Sequence, residues 1–486
     1  MEHTGLIDGR LVRGEGERFA VENPSDESLV AELAGLSLPQ IAQAIASARR
    51  AFDEGPWRGL PRQQRAEATR RFVAALHSRA DRLTELAVAE AGCPIASGTM
   101  AAQVKMPLRH ADEAIELFLM LPEVEENPVP LADRVAMGGQ GMVQSLRRYD
   151  PLGVVSAIAA YNVPVFTALW KVVPGLLAGN SVVLRPNPLT PLSAMVFAEA
   201  AIAAELPPGV LNVVIEAGLE GARLMTTDAA IDMVSFTGSC AVGAKVAEQA
   251  APTLKRLVLE LGGKSAQIFL PDSVEKAAMQ CLVVAVAHGG QGCALGTRIF
   301  VPEERKAEVL DAAAKLLAGL RIGPASDPAT QAGPVINAAA VARCERFVAE
   351  AVAHGGRVVC GGKRPAHLAS GHYFEPTVLD LPDNSNPAAQ EEIFGPVSAV
   401  IGYRDLDHAV AMANDSKFGL SGYVHGLDRA AALKVGLAIR SGTVNVNAGM
   451  ASAWASSGGI RMSGLGRERG IEGLRAFQQM SVLNLG

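Results

Sequence analysis

One cysteine of this 486-residue chain stands among glycines, in the peptide HGGQGCALGTR that runs from His288 to Arg298. No second cysteine lies near Cys293 in sequence, and its small neighbours leave the sulfur open to approach. A free thiol has a pKa of about 8.5, so it acts as a nucleophile near neutral pH only with help from its surroundings. Considered alone, Cys293 is better explained as a small buried residue in a tight turn, with a nucleophile as the alternative.

Two more polar residues stand where predicted strands end. Glu260 follows an apolar run in LELGGKSAQ, and Asn162 follows the strand-like SAIAA and comes shortly before Pro164. A carboxyl group in apolar surroundings has a raised pKa, which suits a general base near neutral pH. Strand ends of a parallel sheet are also where ligand sites collect. The simpler interpretations are a solvated strand-end glutamate and a loop asparagine bonded to its own backbone.

Two glycine-containing peptides have features of phosphate-binding turns. FTGSCAVG, residues 236–243, follows a predicted strand, so its glycines could admit a pyrophosphate to the backbone N–H groups of a helix start. An ordinary strand-to-helix turn is the alternative. GLGRERG, residues 464–470, resembles a dinucleotide-binding fingerprint but has no predicted strand before it, and we discount it.

These residues need a framework of helices and strands to position them. Apolar positions recur at three- and four-residue spacing between residues 37 and 121, which predicts helices. LPEVEENPVPLADRV is then predicted to be a linker, and GMVQSLRRYDPLG alternates as a strand does. From residue 152, apolar strands alternate with Ala-rich helices: first LGVVSAIAA, SVVLRP, LNVVIEA and MVSFTG, and then SAQIFL, RIFVP, GRVVCGG, VSAVIGY and GTVNVN. This order predicts two parallel-sheet units that are joined near residue 260 and have a ligand cleft between them.

Composition narrows the class of protein. The chain is 49% hydrophobic and 19% charged, with a net charge of −6, no Lys/Arg-rich run and only 5% aromatic residues, so nucleic-acid binding has little support. The polar opening MEHTGLIDGRLVRGEGE is unlike a signal peptide, and the apolar runs are shorter than the roughly 18 residues of a membrane span. Six cysteines without a CxxC pair indicate reduced thiols in the cytoplasm and no metal site.

Considered one at a time, these residues favour the simpler structural interpretations. Seven peptides considered together favour a functional site instead. PLGVVSAIAAYNVP, AGNSVVLRPNPLTP, FTGS, LELGGKS, GQGC, EEIFGP and SGLGRERG occur in the order found in the aldehyde dehydrogenase superfamily, which the chain resembles from about residue 20 to its end. The 33-residue interval from Glu260 to Cys293 is also usual in that family. The resemblance implies an α/β fold with a Rossmann-type cofactor domain, an α/β catalytic domain and a small β oligomerisation arm.

The resemblance also implies domain boundaries and an assembly. The expected cofactor domain comprises residues 1–126 and 150–260, and the catalytic domain residues 261–460. The arm comprises residues 127–149 and 476–486, and its strands add to a neighbour's sheet. Open strands alone would promote aggregation, so a homodimer or homotetramer is expected.

The resemblance assigns the chemistry to five residues. Cys293 matches the nucleophile that attacks an aldehyde, and the Asn162 amide together with the Cys293 backbone N–H matches the oxyanion hole. Loss of hydride to the nicotinamide then leaves a thioester, and Glu260 matches the base that activates water to hydrolyse it. Lys171 and Glu468 match residues that relay the proton outward, and a structural ion pair explains them equally well.

The cofactor side follows the family pattern with two departures. The residues expected to bind the cofactor are Ala160, Tyr161, Arg185, Pro188, Phe236, Gly238, Ser239, Gly243, Leu261, Glu392 and Phe394. Gly238 and Ser239 match the pyrophosphate turn, whereas Glu392 and Phe394 match the residues that hold the nicotinamide ribose and ring. Arg185 stands where Lys is usual, and Pro188 stands where a ribose-binding Glu is frequent. NAD is expected, and a guanidinium without that carboxylate also makes NADP tolerable.

The substrate side departs further from the family pattern. The residues expected to line the pocket are Val163, Thr167, Trp170, Gly292, Ala294 and Ser457. Small side chains at several of these positions imply a roomy, partly polar pocket for an aldehyde, and no cluster of arginines indicates a dicarboxylate semialdehyde. Trp170 supplies either one apolar wall or core packing.

Three alternative functions stay open at this point. A CoA-acylating dehydrogenase generally lacks the base at the position of Glu260, so the presence of that residue favours hydrolysis. A catalytically idle binding or structural relative is disfavoured because Cys293, Asn162, Glu260 and Glu392 are all retained. A simple thiol hydrolase lacks an evident His/Asp partner set, since His288 alone does not make a dyad.

Overall fold

A computed structural model describes residues 2–134, 142–449 and 452–485. The helices in these ranges are α1 (Leu38–Asp53), α2 (Arg62–His77), α3 (Ala80–Ala89), α4 (Met100–Gln103), α5 (Lys105–Met120), α6 (Pro164–Ala178), α7 (Leu192–Ala203), α8 (Glu220–Thr227), α9 (Cys240–Ala250), α10 (Ala277–Val286), α11 (Lys306–Ala318), α12 (Ala338–Ala353), α13 (Pro387–Gln390), α14 (Leu406–Asn414), α15 (Arg429–Ala438) and α16 (Gly470–Ala476). The strands are β1 (Gly5–Ile7), β2 (Arg10–Val12), β3 (Arg18–Glu22), β4 (Leu29–Ala34), β5 (Val124–Glu126), β6 (Gln144–Pro151), β7 (Val154–Ile158), β8 (Ser181–Arg185), β9 (Leu211–Val214), β10 (Met233–Thr237), β11 (Arg256–Glu260), β12 (Ala266–Phe269), β13 (Arg298–Pro302), β14 (Arg357–Cys360), β15 (Thr377–Leu381), β16 (Val397–Tyr403), β17 (Ser421–His425), β18 (Thr443–Val446), β19 (Gly464–Leu465) and β20 (Gln478–Leu485).

The first sheet has eight strands in the order β19-β11-β10-β7-β8-β9-β1-β2. Strands β7 to β11 are parallel to one another, and their almost wholly buried apolar residues explain why the sequence predicted them as continuous hydrophobic runs. Chain order reverses between β7 and β10, which is the Rossmann order, and the carboxyl ends of the strands at such a switch point form a ligand crevice.

The second sheet has seven strands in the order β14-β15-β16-β13-β12-β17-β18. All of its neighbours are parallel except the edge pair β14 and β15. The five strands predicted for this unit are confirmed, and β15 and β17 are additional. The short segment 261–265 joins β11 of the first sheet to β12 of the second, so the chain passes from one sheet to the other just after Glu260, near the predicted boundary.

The helical region predicted between residues 37 and 121 is confirmed as α1 to α5. Helices α2 and α5 pack on α6, and the apolar side chains between them form one core with β7, β8 and β9. The prediction of a plain linker after residue 121 was wrong in part. Residues 124–126 form β5, because this short polar segment gains backbone hydrogen bonds from β6, a partner that its own composition does not reveal.

A third sheet, in the order β20-β6-β5, extends from the molecule. Strand β20 pairs antiparallel with β6 from Gln478 opposite Pro151 to Leu485 opposite Gln144. Apolar side chains such as Val482 and Leu483 are about half exposed on this strand. The predicted arm of residues 127–149 and 476–486 falls on this sheet in part, and its residues 135–141 and 486 lie outside the described ranges.

Candidate active site

Cys293 lies in the connection between α10 and β13, in the loop that joins two elements of the second sheet unit. The loop backbone is left-handed at three consecutive residues, 288 to 290, two of which are the glycines that this conformation favours. A Cβ atom at Gly290 would lie 2.0 Å from the carbonyl oxygen of Gly395, and one at Gly263 would lie 2.7 Å from the carbonyl oxygen of Cys293. These glycines therefore let two backbone segments close around the cysteine.

The surroundings of Cys293 keep its thiol protonated. Burial, followed by the nearby carboxylates of Glu392 and Glu260, raises the pKa of the Cys293 thiol to about 12, against hydrogen bonds from the backbone N–H groups of Ala294 and Cys293. The free cysteine is thus not a thiolate at rest, so attack on a carbonyl requires a base that accepts its proton.

Glu260 is the final residue of β11, as predicted, and its side chain is largely enclosed. Burial, followed by the Glu468 carboxylate, raises the pKa of the Glu260 carboxyl to about 8, against the opposing charges of Lys171 and Arg467. Its Oε1 atom has no hydrogen-bond partner within the described residues. A Cβ atom at Gly458 would lie 2.7 Å from that oxygen, so glycine keeps the space beside the carboxyl open. The Glu260 carboxyl can therefore act as a proton acceptor close to neutral pH.

Lys171 and Glu468 form a buried ion pair beside this carboxyl. The Lys171 Nζ atom lies 2.6 Å from Glu468 Oε1 and 3.3 Å from the hydroxyl of Ser235. Glu468 is held in place by a backbone bridge to Ser457, in which each residue donates its N–H to the other's carbonyl oxygen. The two predicted relay residues therefore meet, and Ser457 supports Glu468 through its backbone.

Asn162 is buried in the turn between β7 and α6, as its position after a strand predicts. Its Nδ2 atom donates a hydrogen bond to the carbonyl oxygen of Gln291, at 2.8 Å, so the amide is fixed to the loop that carries Cys293. Gln103 donates to the Asn162 carbonyl oxygen at 2.8 Å, and the Gln291 side chain bonds the backbone of Ile336. Sequence reasoning missed Gln103 and Gln291, because these residues lie 59 and 129 positions from Asn162 in the chain.

The turn expected to face a pyrophosphate joins β10 to α9. Gly238 donates its N–H to the Glu260 carbonyl oxygen at 3.0 Å, and a Cβ atom there would lie 2.4 Å from the Phe236 ring. A Cβ atom at Gly243 would lie 2.5 Å from the Leu261 side chain. These four predicted residues therefore form one tight packing unit at the carboxyl edge of the first sheet. Ser239 caps α9, whose first turn has backbone N–H groups available to an anion.

The EEIFGP peptide lies against the junction of the two sheets. The Glu392 carboxylate accepts a hydrogen bond from Gly263 N at 2.9 Å, and burial raises the pKa of this carboxyl. Phe394 has a left-handed backbone with φ of 55°, and its ring meets that of Tyr161 edge-on at 5.9 Å, just after Ala160. Sequence reasoning missed Arg343, which donates to the carbonyl oxygens of residues 393 and 394 and holds this strained segment.

Arg185 ends β8, and its side chain is buried. Its Nε atom lies 2.5 Å from Glu216 Oε1, and its Nη2 atom donates to the Gly218 carbonyl oxygen at 2.8 Å. Glu216 was missed, although its place after the apolar run LNVVI is the cue that identified Glu260. Pro188 lies half-buried in the loop after β8 and brings no polar side-chain group to this edge.

The residues expected on the substrate side occupy α6 and the cysteine loop. Val163 precedes α6, and Thr167 is satisfied by the backbone around Ala160. Trp170 is buried, with the rings of His110 and Phe166 about 6 Å away. Gly292 and Ala294 flank Cys293 in the chain, and all three residues are half-buried.

A cavity of about 470 Å³ opens beside this aromatic group. Sequence reasoning missed its lining: Met106, Arg109, His110, Glu113, Ser452, Ala453 and Trp454. Burial lowers the pKa of His110 to about 4, so the wall that it shares with Trp170 is uncharged at neutral pH. The Trp454 indole donates to the Glu113 carbonyl oxygen, and Arg109 pairs with the Glu113 carboxylate. The lining therefore combines the rings of His110 and Trp454 with the charged side chains of Arg109 and Glu113, and the Arg469 guanidinium lies 5.7 Å from the centre of the neighbouring Trp170 ring.

Two features are absent from residues 2–134, 142–449 and 452–485. No group of three or more His, Cys, Asp or Glu residues there is arranged to hold a metal ion. None of the helices in the same ranges combines the length and the apolar character that crossing a bilayer requires.

The Rossmann-ordered sheet and the second parallel sheet, with the half-buried Cys293 thiol and Glu260 carboxyl near their junction, fit the class of nicotinamide-dependent oxidoreductases. Comparison with known proteins agrees. The profile of the family described as "Aldehyde dehydrogenase family" matches residues 11–483. The chain is 37% identical to the geranial dehydrogenase of Castellaniella defragrans, covering 97% of this chain and 96% of that protein. It is 34% identical to the NADP⁺-dependent succinate-semialdehyde dehydrogenase of Escherichia coli, covering 99% and 97%.

The fold comparison gives the same result. A mutant of aldehyde dehydrogenase C from Pseudomonas syringae, solved with NAD⁺ and octanal, superposes with a TM-score of 0.92 at 34% identity, covering 99% of this chain and 96% of that one. The chain belongs to the aldehyde dehydrogenase family. The predicted fold class, the reaction class of NAD(P)-dependent aldehyde oxidation and the nicotinamide cofactor are confirmed.

Proposed function

We propose that this chain oxidises an aldehyde to the carboxylic acid through a covalent thioester on Cys293. The observation that carries the proposal is the closeness of the Cys293 thiol, in the loop before β13, to the Glu260 carboxyl at the end of β11. The Cys293 thiol and the Glu260 carboxyl are close enough that the charge of Glu260 raises the pKa of the thiol. One of them is a nucleophile that needs a base, and the other is a base with a pKa near 8.

In the first step, the Cys293 sulfur forms a bond to the aldehyde carbon while the thiol proton passes to Glu260. Negative charge develops on the former carbonyl oxygen, and the Asn162 amide and the Cys293 backbone N–H donate hydrogen bonds to it. One such donor typically contributes about 2.7–4 kcal/mol to transition-state stabilisation. Gln291 positions this amide, because Asn162 Nδ2 donates to its carbonyl oxygen.

A nicotinamide held at this site would supply the two-electron oxidation, as the acceptor of hydride from the substrate carbon. Glu392 and Phe394 would hold its ribose and ring, and Gly238 and Ser239 would hold the pyrophosphate beside the start of α9. The fit is supported by the tight turn at Gly238, where a side chain would collide with Phe236 and close the approach. The remaining residues proposed to contact the cofactor here are Ala160, Tyr161, Gly243 and Leu261.

Hydrolysis then releases the acid from the enzyme. Once the proton taken from the thiol has left Glu260, the carboxylate removes a proton from water and the resulting hydroxide adds to the thioester carbon. The carbon–sulfur bond then breaks, and Glu260 returns this proton to the departing sulfur, which restores the Cys293 thiol. Lys171 and Glu468 support the passage of the proton from Glu260 outward, because Glu468 influences the Glu260 pKa and pairs with Lys171 at 2.6 Å. A purely structural ion pair is the competing role.

The substrate proposed is an uncharged aldehyde with an apolar body. The aromatic wall of His110, Phe166 and Trp170 supports this choice, since none of these groups is charged at neutral pH. The relative named for geranial and the neighbour solved with octanal also favour it. The small side chains of Val163 and Ser457 leave room for a bulky aldehyde.

We further propose the domain boundaries and assembly implied by the motifs: a cofactor domain of residues 1–126 and 150–260, a catalytic domain of residues 261–460, and an arm that assembles a homodimer or homotetramer. Half-exposed apolar residues on β20 support association through the arm. All six cysteines are free, which favours a reducing compartment and the cytoplasm.

The decisive experiment traps the acyl enzyme. Purified protein is mixed with octanal or geranial and NAD⁺, quenched in acid within the first turnovers and measured by intact mass spectrometry with peptide mapping. We expect an acyl adduct on Cys293, and free acid as product whether or not CoA is present. Turnover without any adduct at Cys293 contradicts the mechanism, and acyl-CoA as the sole product replaces hydrolysis by CoA acylation.

A further inference from the structure

Resting on the proposed function, we infer that Glu216 makes this chain selective for NAD over NADP by neutralising Arg185. The loss of a carboxylate at Pro188 alone predicts tolerance of a 2′-phosphate, since an arginine stands nearby. The buried pair of Arg185 and Glu216 reverses that expectation. Glu216 is thus a specificity-determining residue that comes from a different strand.

The position of the pair in the sheet places it at the adenosine end of the crevice. Strand β8 is second in the Rossmann half, next to the switch-point strand β7, and Arg185 is its last residue. In Rossmann-type sheets the side chain near this strand end decides the cofactor, because a carboxylate there binds the ribose 2′-hydroxyl and an arginine accommodates a 2′-phosphate. Glu216 lies two residues beyond the end of the neighbouring parallel strand β9.

Arg185 has little capacity left for a phosphate. Its Nε donates to Glu216 Oε1 at 2.5 Å and its Nη2 to the Gly218 carbonyl oxygen at 2.8 Å, while Nη1 makes a longer contact of 3.4 Å with the carbonyl oxygen of Pro186. Only 4% of the residue is exposed. A 2′-phosphate would therefore have to displace a carboxylate from a guanidinium that is already paired.

The same carboxylate occupies the helix start beside Arg185. Glu216 Oε2 accepts a hydrogen bond from Gly221 N, and Oε1 accepts one from Ala222 N, both at 2.8 Å. These are first-turn N–H groups of α8, which would otherwise attract an anion. With both the cation and the helix start satisfied by Glu216, a 2′-phosphate finds no unpaired positive charge there, whereas a 2′-hydroxyl carries no charge and is unaffected.

The test measures binding without any aldehyde. Dissociation constants of ADP-ribose and of ADP-ribose 2′-phosphate are determined calorimetrically for the wild type and for Glu216→Gln, together with kcat/KM for NAD⁺ and NADP⁺. We expect the wild type to prefer the unphosphorylated ligand by about tenfold or more, and Glu216→Gln to reduce this preference by about tenfold through tighter binding of the phosphate. Glu220→Gln is the matched control, because Glu220 starts the same helix and is exposed; its preference should stay within about twofold.

Each outcome decides between the alternatives. A wild type that binds the phosphorylated ligand equally well overturns the inference without any variant, so a poorly folding Glu216→Gln protein does not leave it untested. An unchanged preference in folded Glu216→Gln, or an equal change in Glu220→Gln, also overturns it. Aldehyde oxidation with equal use of NAD⁺ and NADP⁺ contradicts this inference alone, whereas selective ADP-ribose binding without aldehyde oxidation contradicts only the proposed function.

Discussion

The ammonium group of Lys171 lies 2.6 Å from the carboxylate of Glu468, and at most 6% of either side chain is exposed. Both charges act on Glu260 in opposite directions, since Lys171 lowers the pKa of that carboxyl and Glu468 raises it. The pair therefore regulates the proposed base, whether or not it also carries the proton.

Replacing either member of this pair should move the Glu260 pKa, with opposite signs. Lys171→Met removes the charge that favours the carboxylate, so the pKa governing hydrolysis should rise; Glu468→Gln should lower it. Because one buried charge is left alone, each variant should also lose about 3–5 kcal/mol of unfolding free energy. The measurements are pH profiles of steady-state kcat and urea unfolding. Stability loss without any movement of the pH profile would assign the pair a structural role only.

The rate of hydrolysis should increase with pH through about 8. Burial raises the pKa of Glu260 to about 8, and only the deprotonated carboxylate can accept a proton from water. Below this pH the carboxyl is protonated and the thioester should accumulate; above it the rate should level off. Single-turnover hydrolysis of the acyl enzyme between pH 6 and 10 measures this directly. A rate that is flat across that range would contradict Glu260 as the base.

Glu260→Gln should separate the two half-reactions. The amide cannot accept a proton from the thiol or from water, so both half-reactions should slow. Hydrolysis should slow more, because water is a weaker acid than a thiol and depends more on the base, and a burst of about one equivalent should therefore remain at the first turnover. Stopped-flow absorbance of the reduced nicotinamide follows both phases. Equal slowing of the burst and the steady state would contradict Glu260 as the base of hydrolysis.

Asn162→Ala should reduce kcat by about 10²–10³-fold, because it removes one hydrogen-bond donor to the developing oxyanion. Asn187→Ala is the control: Asn187 lies in the loop after β8 and accepts a hydrogen bond from the backbone of Leu189. That variant should keep kcat within about twofold of the wild type. A loss of less than about tenfold in Asn162→Ala would remove its amide from the oxyanion hole.

Cys293→Ser should abolish aldehyde oxidation and leave NAD⁺ binding intact. A hydroxyl has a far higher pKa than a thiol and a neighbouring base with a pKa near 8 cannot ionise it effectively. Calorimetric NAD⁺ titration and turnover assays measure the two properties. Cys360→Ser, on the edge strand of the second sheet, serves as the control and should retain full turnover. Oxidation retained in Cys293→Ser would refute the nucleophile.

Elements that carry their own pattern were predictable from the sequence. Strands β7 to β13 are short apolar runs bounded by turns, and their burial on both faces imposes that composition. Strand β5 was not predictable, because it has three residues, two of them acidic, and exists through its pairing with β6. Glu260 was identified by its place after an apolar run, and the same cue at Glu216 was overlooked.

The residue types available for catalysis, and the strand or loop that carries each one, were determined by the sequence itself, because local pattern decides where a strand ends and a turn begins. The charge state and the partners of those residues were decided only by the tertiary structure. Burial raises the Glu260 and Cys293 pKa values, and the contacts of Lys171 with Glu468 and of Arg185 with Glu216 join residues 297 and 31 positions apart. Electrostatic energy depends on distance and burial in space, and neither is encoded in separation along the chain.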